Sequence, residues 1–266
     1  MLTKGKIQAL KSYADKKERN KKNLFLVEGE KSVAELLVSD MIINELFITH
    51  EFAKKYEKEL HTCGKRHAAI EKWIKPQMVE IGELNKITNL ESIKNVCSAI
   101  AVVSQFTREE MDDNKIMEII KSEKVLILDD IRDPGNMGTI IRLADWYGIG
   151  YIFASIGTVD IYNPKTISAS MGSFSRVQVI YKEIKDILKI ANKNKIDIVA
   201  STLKGQDANT FTWPKNGILI IGNESNGVSN EILREVRNQI TLPSFGKAES
   251  LNASIACGIL LDRWNR

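Results

Sequence analysis

The chain has 266 residues, 43% hydrophobic and 27% charged, with a formal net charge of +4. That length holds one large domain or two small ones, and the composition excludes collagen-like and low-complexity chains. No apolar run reaches the roughly 18 residues of a membrane helix, and MLTKGKIQALKSYADKK has no signal-peptide core.

The three cysteines, Cys63, Cys97 and Cys257, are widely spaced and odd in number, which argues against a disulfide framework and suits a reducing, cytoplasmic setting. In chain order, Lys4 to Lys17 has the spacing of a basic helix. Residues 4–22 carry Lys4, Lys6, Lys11, Lys16, Lys17, Arg19, Lys21 and Lys22 against Asp15 and Glu18. Such a run reads either as a solvated helix face or as a phosphate-contacting surface, because clustered cations release counterions on meeting a polyanion. Asn23 to Glu28 reads as a strand, and Gly29 to Ser39 as a helix through Val33, Leu36 and Leu37. Ile43 to Thr49 reads as a strand and Glu51 to Leu60 as a helix. Val79 to Leu90 is a turn and helix, and Ala99 to Ser104 a strand. Residues 1–105 thus form a small α/β domain. Residues 106–121 turn acidic, as suits an inter-domain linker, and 122–266 form a second domain.

In that second part the alternation is clearer. VLILDD (125–130) is a short apolar run ending in acids, as in a buried parallel strand. Thr139 to Tyr147 is helical, YIFAS (151–155) a strand, and Pro164 marks a first helical turn. VQVIY (177–181), a helix at 183–194, IDIVAS (196–201) and GILIIG (217–222) follow. A helix at 229–238, ITLP (240–243) and a helix at 250–264 complete the chain. The pattern implies a mostly parallel sheet covered on both faces, with ligands at the carboxyl ends of its strands.

Three loops fall at those ends. DPGNMGTIIR (133–142) places Asn136 beside a helix start and Arg142 inside an apolar helix, where burial demands an anionic partner or a cleft. IIGNESNGVS (220–229) combines glycines, which allow close backbone approach, with Glu224 and a helix cap at Ser229. ITLPSFGKAESLNASIA (240–256) ends a strand at Pro243 and opens the last helix at Ser250, with Leu251 and Asn252 following. Each loop alone has an ordinary reading as a turn, a turn carboxylate or a local cap. Together, in this order, they are specific.

These motifs resemble those of the SPOUT-class RNA 2′-O-ribose methyltransferases of the TrmH (SpoU) branch. DPGNMGTIIRLADWYGI is similar to the family's first motif, ILIIGNESNGVS to its second and LPSFGKAESLNASIACGIL to its third. ERNKKNLFLVEGEKSVAELL resembles the accessory substrate-binding domain of ribosomal-protein-like fold. One mild departure is Ser244–Phe245, where many relatives carry Met and a small residue. The resemblance implies an α/β fold whose C-terminal segment forms a deep trefoil knot. It implies S-adenosylmethionine as cofactor, held by Gly222, Leu242 and Leu251 largely through main-chain groups, and a homodimer to which the last helix contributes. It implies that Arg142, Asn136, Glu224, Ser250 and Asn252 form the active site, with no metal, and that Glu224 fixes Arg142. The family assigns the matching arginine as base, but a guanidinium stays protonated, so phosphate gripping stands beside that role. Lys16, Lys17, Arg19, Lys21 and Lys22 would then contact RNA, and recognition of the 2′-hydroxyl would select RNA over DNA.

Other classes fit less well. There is no GxGxxG after the first strand and no GxxxxGK[ST] loop. Asp129, Asp130 and Asp133 read as strand-end and turn chemistry, and His61, Cys63 and His67 lack a fourth ligand at zinc spacing. A non-catalytic RNA-binding protein of the same fold is the main alternative, and the intact polar positions argue against it. The accessory domain favours ribosomal RNA over tRNA as the target.

Overall fold

The computed structural model describes residues 1–69, 74–106 and 111–266. It divides into two compact units, Met1–Arg108 with Asp160–Ser175, and Glu109–Val159 with Arg176–Arg266.

The first unit opens with α1 (Lys4–Lys11) and α2 (Lys16–Lys22). The single basic helix expected over Lys4 to Lys17 is broken by a tight turn at Ser12–Ala14. Asp15 ends the turn, and its carboxylate accepts the Lys17 and Glu18 N–H groups to cap α2. Then follow β1 (Leu24–Glu28), α3 (Glu30–Val38), β2 (Ile43–Ile48), α4 (His50–Lys55) and α5 (Glu57–Ala69). β3 (Gln77–Met78), α6 (Ile81–Ile87) and β4 (Ala99–Ser104) complete this part. The sheet order is β1-β4-β2-β3, antiparallel except for β2 with β3. Leu10, Tyr13, Leu26, Phe47, Leu84, Ile87 and Val102 form a core that draws on both helices and sheet.

The later chain runs α7 (Asp113–Ser122), β5 (Lys124–Asp129), α8 (Pro134–Trp146), β6 (Tyr151–Ala154) and α9 (Pro164–Ser170). It continues with β7 (Gln178–Tyr181), α10 (Ile184–Lys193), β8 (Ile198–Asp207) and β9 (Gly217–Gly222). It ends with α11 (Asn230–Leu233), β10 (Asn238–Thr241) and α12 (Ala253–Trp264). The six-stranded sheet of the second unit has the order β10-β8-β9-β5-β6-β7, and every pairing is parallel. Val125, Ile127, Ile218, Ile220, Ile187 and Leu188 share its core. Much of the acidic stretch expected to be a linker is α7. Its buried Ile116, Ile119 and Ile120 pack into that core, and three apolar residues at helical spacing outweigh the surrounding acids. Residues 107–110 of that stretch lie outside the described residues. The helix expected over 229–238 shortens to α11, and the last helix begins at Ala253 rather than 250.

The segment Asp160–Ser175, which the sequence pattern groups with the C-terminal part, packs within the first unit. The ring of Tyr162 lies 4.6 Å from that of Phe25, and Phe174 meets Phe25 edge-on at 6.0 Å. Gly172, at φ +97°, is pressed so closely to Glu35 that a Cβ would lie 2.5 Å from its side chain. Arg19 holds the same segment electrostatically. Its guanidinium bonds Asp160 Oδ2 at 2.7 Å and donates to the Tyr13 and Ala14 carbonyls at 2.9 and 2.7 Å. At 2% exposure, Arg19 cannot meet RNA, which corrects its expected place on a phosphate-binding face. The turn at Ser12–Ala14 turns those carbonyls toward it, and a buried cation settles where acceptors are open. Arg19→Ala leaves Asp160 without its partner and should cost about 3–5 kcal/mol in urea unfolding. The neighbouring exposed Lys16→Ala should stay within about 0.5 kcal/mol of the parent.

Candidate active site

Because the second sheet is parallel, β5, β9 and β10 end at the same edge. The three acids after β5 are each engaged in building that edge. Asp129 Oδ2 accepts the Ser229 N–H at 2.8 Å. Asp130 sits at φ +58°, and its carbonyl accepts from Asn223 Nδ2 at 2.7 Å. Asp133 caps α8 by accepting the Asn136 N–H at 2.8 Å, with Pro134 in the first turn. His67 likewise serves the fold, its Nε2 accepting the Ile43 N–H at 3.0 Å.

The loop after β9 closes on itself. Asn223 and Gly227 exchange backbone hydrogen bonds of 3.0 and 2.9 Å, and Asn223 Oδ1 accepts the Ser225 and Asn226 N–H groups. Gly222 makes this closure possible. A Cβ there would lie 2.1 Å from the main chain of Gly227 and Val228. The tight loop presents Glu224 toward α8.

There the three expected motifs meet. Asn136 Nδ2 donates to Glu224 Oε1 at 2.7 Å, and Asn136 Oδ1 accepts from Asn252 Nδ2 at 2.8 Å. Asn252, not Ser250, is the cap of α12: its Oδ1 accepts the Ser254 and Ile255 N–H groups at 2.9 and 3.3 Å. Ser254 joins the set, its hydroxyl lying 2.7 Å from Asn252 Oδ1 and 3.2 Å from Asn136 Oδ1. Ser254 is the residue that motif reading passes over. The available signal is one small polar side chain within the apolar start ASIAC of a helix.

Arg142 departs from expectation. It is exposed on α8, and Glu224 bonds Asn136 instead of fixing it. Six residues turn a helix through about 600°, so Arg142 lies about 120° around α8 from Asn136 and points away from the buried network. No hydrogen bond or ion pair among the described residues occupies its guanidinium. Ser250 and Leu251 are exposed just before the cap, while Leu242 follows β10 half-buried. Among the described residues, the main chain of 242–251 makes no backbone–backbone hydrogen bonds. Half-exposed leucines beside main chain that makes no backbone–backbone hydrogen bonds suit the flat heterocycle and ribose of a nucleoside.

On the first unit Lys16, Lys17, Lys21 and Lys22 are exposed, with Lys22 Nζ 5.0 Å from the Tyr13 ring centre. By sequence this unit holds 20 Lys and Arg against 15 Asp and Glu, and the second holds 18 against 19. All of the excess positive charge therefore belongs to the first unit. No helix among the described residues is long and apolar enough to cross a membrane.

Gly222→Ala should force the β9 loop open, move Glu224 from Asn136 and destabilise the protein by about 3 kcal/mol in chemical denaturation. Wild-type stability in that variant would show that the loop yields without strain.

The model of the SpoU rRNA methylase family matches residues 123–262, and that of the MRM3-like substrate binding domain matches 4–98. The 23S rRNA (guanosine(2553)-2′-O)-methyltransferase RlmP of Bacillus subtilis is 29% identical over 257 residues, spanning 96% of this chain and 94% of that protein. A TrmH-family protein from Porphyromonas gingivalis superposes with a TM-score of 0.79 at 29% identity, over 99% of this chain and 98% of its own. An AdoMet-bound rRNA methyltransferase from Sinorhizobium meliloti gives 0.77 at 25% identity, over 99% and 95%. With its three motif loops joined through Asn136 and the family match running from the start of β5 almost to the end of α12, the chain belongs to the SpoU rRNA methylase family.

Proposed function

We propose that this RNA 2′-O-ribose methyltransferase, which uses S-adenosylmethionine, acts on ribosomal RNA. The observation that carries the reading is the hydrogen-bonded joining of Asn136, Glu224 and Asn252, which builds one site from three distant loops. The choice of ribosomal RNA is supported by the likeness to RlmP across both units and by the substrate-binding match over 4–98.

Gly222, Leu242 and Leu251 would hold the cofactor, the leucines against its flat apolar part and the open main chain against its polar edges. Bound there, S-adenosylmethionine supplies a methyl group made electrophilic by its sulfonium. The ribose hydroxyl is a weak nucleophile, so position and proton loss decide the rate. The Arg142 guanidinium has no hydrogen-bond or ion-pair partner among the described residues, which leaves its five N–H donors open. It therefore holds the phosphate beside the target ribose and orients the 2′-oxygen, whose proton passes to solvent or to a phosphate oxygen. Ser250, in the exposed loop, lies within the same motif and hydrogen-bonds the ribose. Asn136, Glu224 and Asn252 fix the loops that carry these groups. Lys16, Lys17, Lys21 and Lys22 grip RNA phosphates. Working on ribosomal RNA, the enzyme belongs in the cytoplasm as a homodimer. Trp146 on α8 is 82% exposed and Ile255 on α12 is 55% exposed, and these two helices pack together, so their apolar surface suits a second copy.

Transfer of labelled methyl from S-adenosylmethionine to separated RNA fractions tests the reading. Label should enter ribosomal RNA in alkali-resistant linkages; label confined to tRNA would overturn the substrate assignment. Arg142→Ala should lower turnover about a hundredfold while cofactor affinity persists. Neutralising Lys16, Lys17, Lys21 and Lys22 should flatten the log–log salt dependence of RNA binding by about 0.7–0.9 for each phosphate that is no longer neutralised. An unaltered slope would return these lysines to the role of a solvated face.

A further inference from the structure

The hydrogen bonds around Asn136 have a direction, and it can be traced from one end. Backbone N–H groups at the start of α12 only donate, so Asn252 must turn Oδ1 toward Ser254 and Ile255. That leaves Asn252 Nδ2 facing Asn136, which must answer with Oδ1. Asn136 Nδ2 is thereby aimed at Glu224 Oε1. A flipped Asn136 would set amide nitrogen against amide nitrogen and carbonyl oxygen against carboxylate. The orientation of this one amide therefore governs whether Glu224, and the loop it anchors, stay in register with α12.

We infer that Ser254 is a positioning residue for methyl transfer, whose hydroxyl locks the Asn136 amide. Ser254 is buried, so its hydroxyl proton has no solvent alternative. Its two acceptors are Asn252 Oδ1, the nearer at 2.7 Å, and Asn136 Oδ1 at 3.2 Å, and its one proton is divided between them. Asn252 Oδ1 already takes two backbone N–H groups, whereas Asn136 Oδ1 takes only the Asn252 amide and has a lone pair to spare. The hydroxyl thus supplies the second anchor of the Asn136 carbonyl, from the element that carries the cap. No hydrogen bond among the described residues joins it to Gly222, Leu242, Leu251 or Arg142, so its effect on the reaction passes through Asn136. This role rests on the methyltransferase reading for its kinetic consequence, but not for its structural one.

Two measurements on the full-length protein separate these. The first follows proton exchange of the Asn136 side-chain amide by NMR, assigned with Asn136→Ala, in wild type, Ser254→Ala and Ser254→Thr. Exchange should quicken in S254A and return toward wild type in S254T, which keeps the donor. The second measures methyl transfer to ribosomal RNA. S254A should lose about five- to tenfold in kcat, with KM for RNA and affinity for S-adenosylmethionine within twofold, and S254T should recover most of it. Unchanged amide exchange in S254A overturns the lock. A kcat loss that comes with an equal loss of cofactor affinity or a collapsed melting temperature, unrescued by Thr, also overturns it and leaves Ser254 a helix-start residue. If wild type transfers no methyl to any RNA, the proposed function falls, and the exchange comparison still decides the lock.

Discussion

The Asn136 side chain offers one carbonyl oxygen and one amide nitrogen, and three loops of the second unit are joined through those two atoms. Glu224 lies 88 residues away in sequence and Asn252 116 residues away. Loop ends so far apart bear a closure cost that short-range turns do not, and buried polar contacts offset it only if every donor and acceptor is satisfied. The network has a single polarity throughout, and that polarity originates in the backbone. The N–H groups of α12 cannot invert, so each side chain in turn has one allowed orientation, ending on a carboxylate that accepts without a proton of its own. A glutamine at Glu224 would preserve size and lose this certainty, since its amide can present either face.

Around the network, main-chain groups are bound to carboxylates and amides. Asp129 takes the Ser229 N–H, Asn223 holds the Asp130 carbonyl, and Asp133 takes the Asn136 N–H. These bonds stiffen the floor formed by the loops after β5 and β9. Residues 242–251, by contrast, make no backbone–backbone hydrogen bonds among the described residues, and only the Gly246 carbonyl takes a side-chain bond, from Ser244. A site proposed to bind its cofactor largely through backbone groups needs both conditions, rigid loops to fix the reacting geometry and one segment whose hydrogen-bonding capacity has not been consumed by the fold. The sequence separates them chemically. The closed loops are rich in Asp and Asn, whose short side chains bond nearby main chain, while 242–251 has Pro243 and Gly246 and contains neither Asp nor Asn.

Much of this was legible from spacing. The parallel strands and the three motif loops follow from apolar runs ending in polar turns, and the candidacy of Asn136, Glu224 and Asn252 follows from the family resemblance that those loops carry. What spacing does not carry is partnership. Nothing in GNESNGVS says that Glu224 meets an amide rather than a guanidinium, because that depends on how far around α8 each residue sits relative to a strand end elsewhere in the chain. The acidic stretch ahead of β5 misled for a related reason. Its carboxylates dominate the composition, while the three isoleucines that make α7 a core helix are a minority by count. The placement of Asp160–Ser175 with the first unit depends on Arg19, Phe25 and Glu35, residues more than a hundred positions away.

Two arginines show what decides the matter. Arg19 stands in a run of lysines and looks like a phosphate contact, yet it is buried and its terminal nitrogens are filled. Arg142 stands among Ile140, Ile141, Leu143 and Ala144 and looks buried, yet it is exposed and unoccupied. The reversal follows from where acceptors are left over. The irregular turn before α2 points two carbonyls at one place, and Asp160 adds a carboxylate there, so a planar guanidinium with five donors fits where a lysine ammonium would not. Within α8 the interior carbonyls are consumed by the helix itself, and the Glu224 carboxylate is engaged by Asn136. A guanidinium that finds no internal acceptor keeps its charge and its donors for something outside the fold. On an enzyme whose substrate carries a phosphate beside every ribose, that availability is what supports the proposal that Arg142 acts at the reaction.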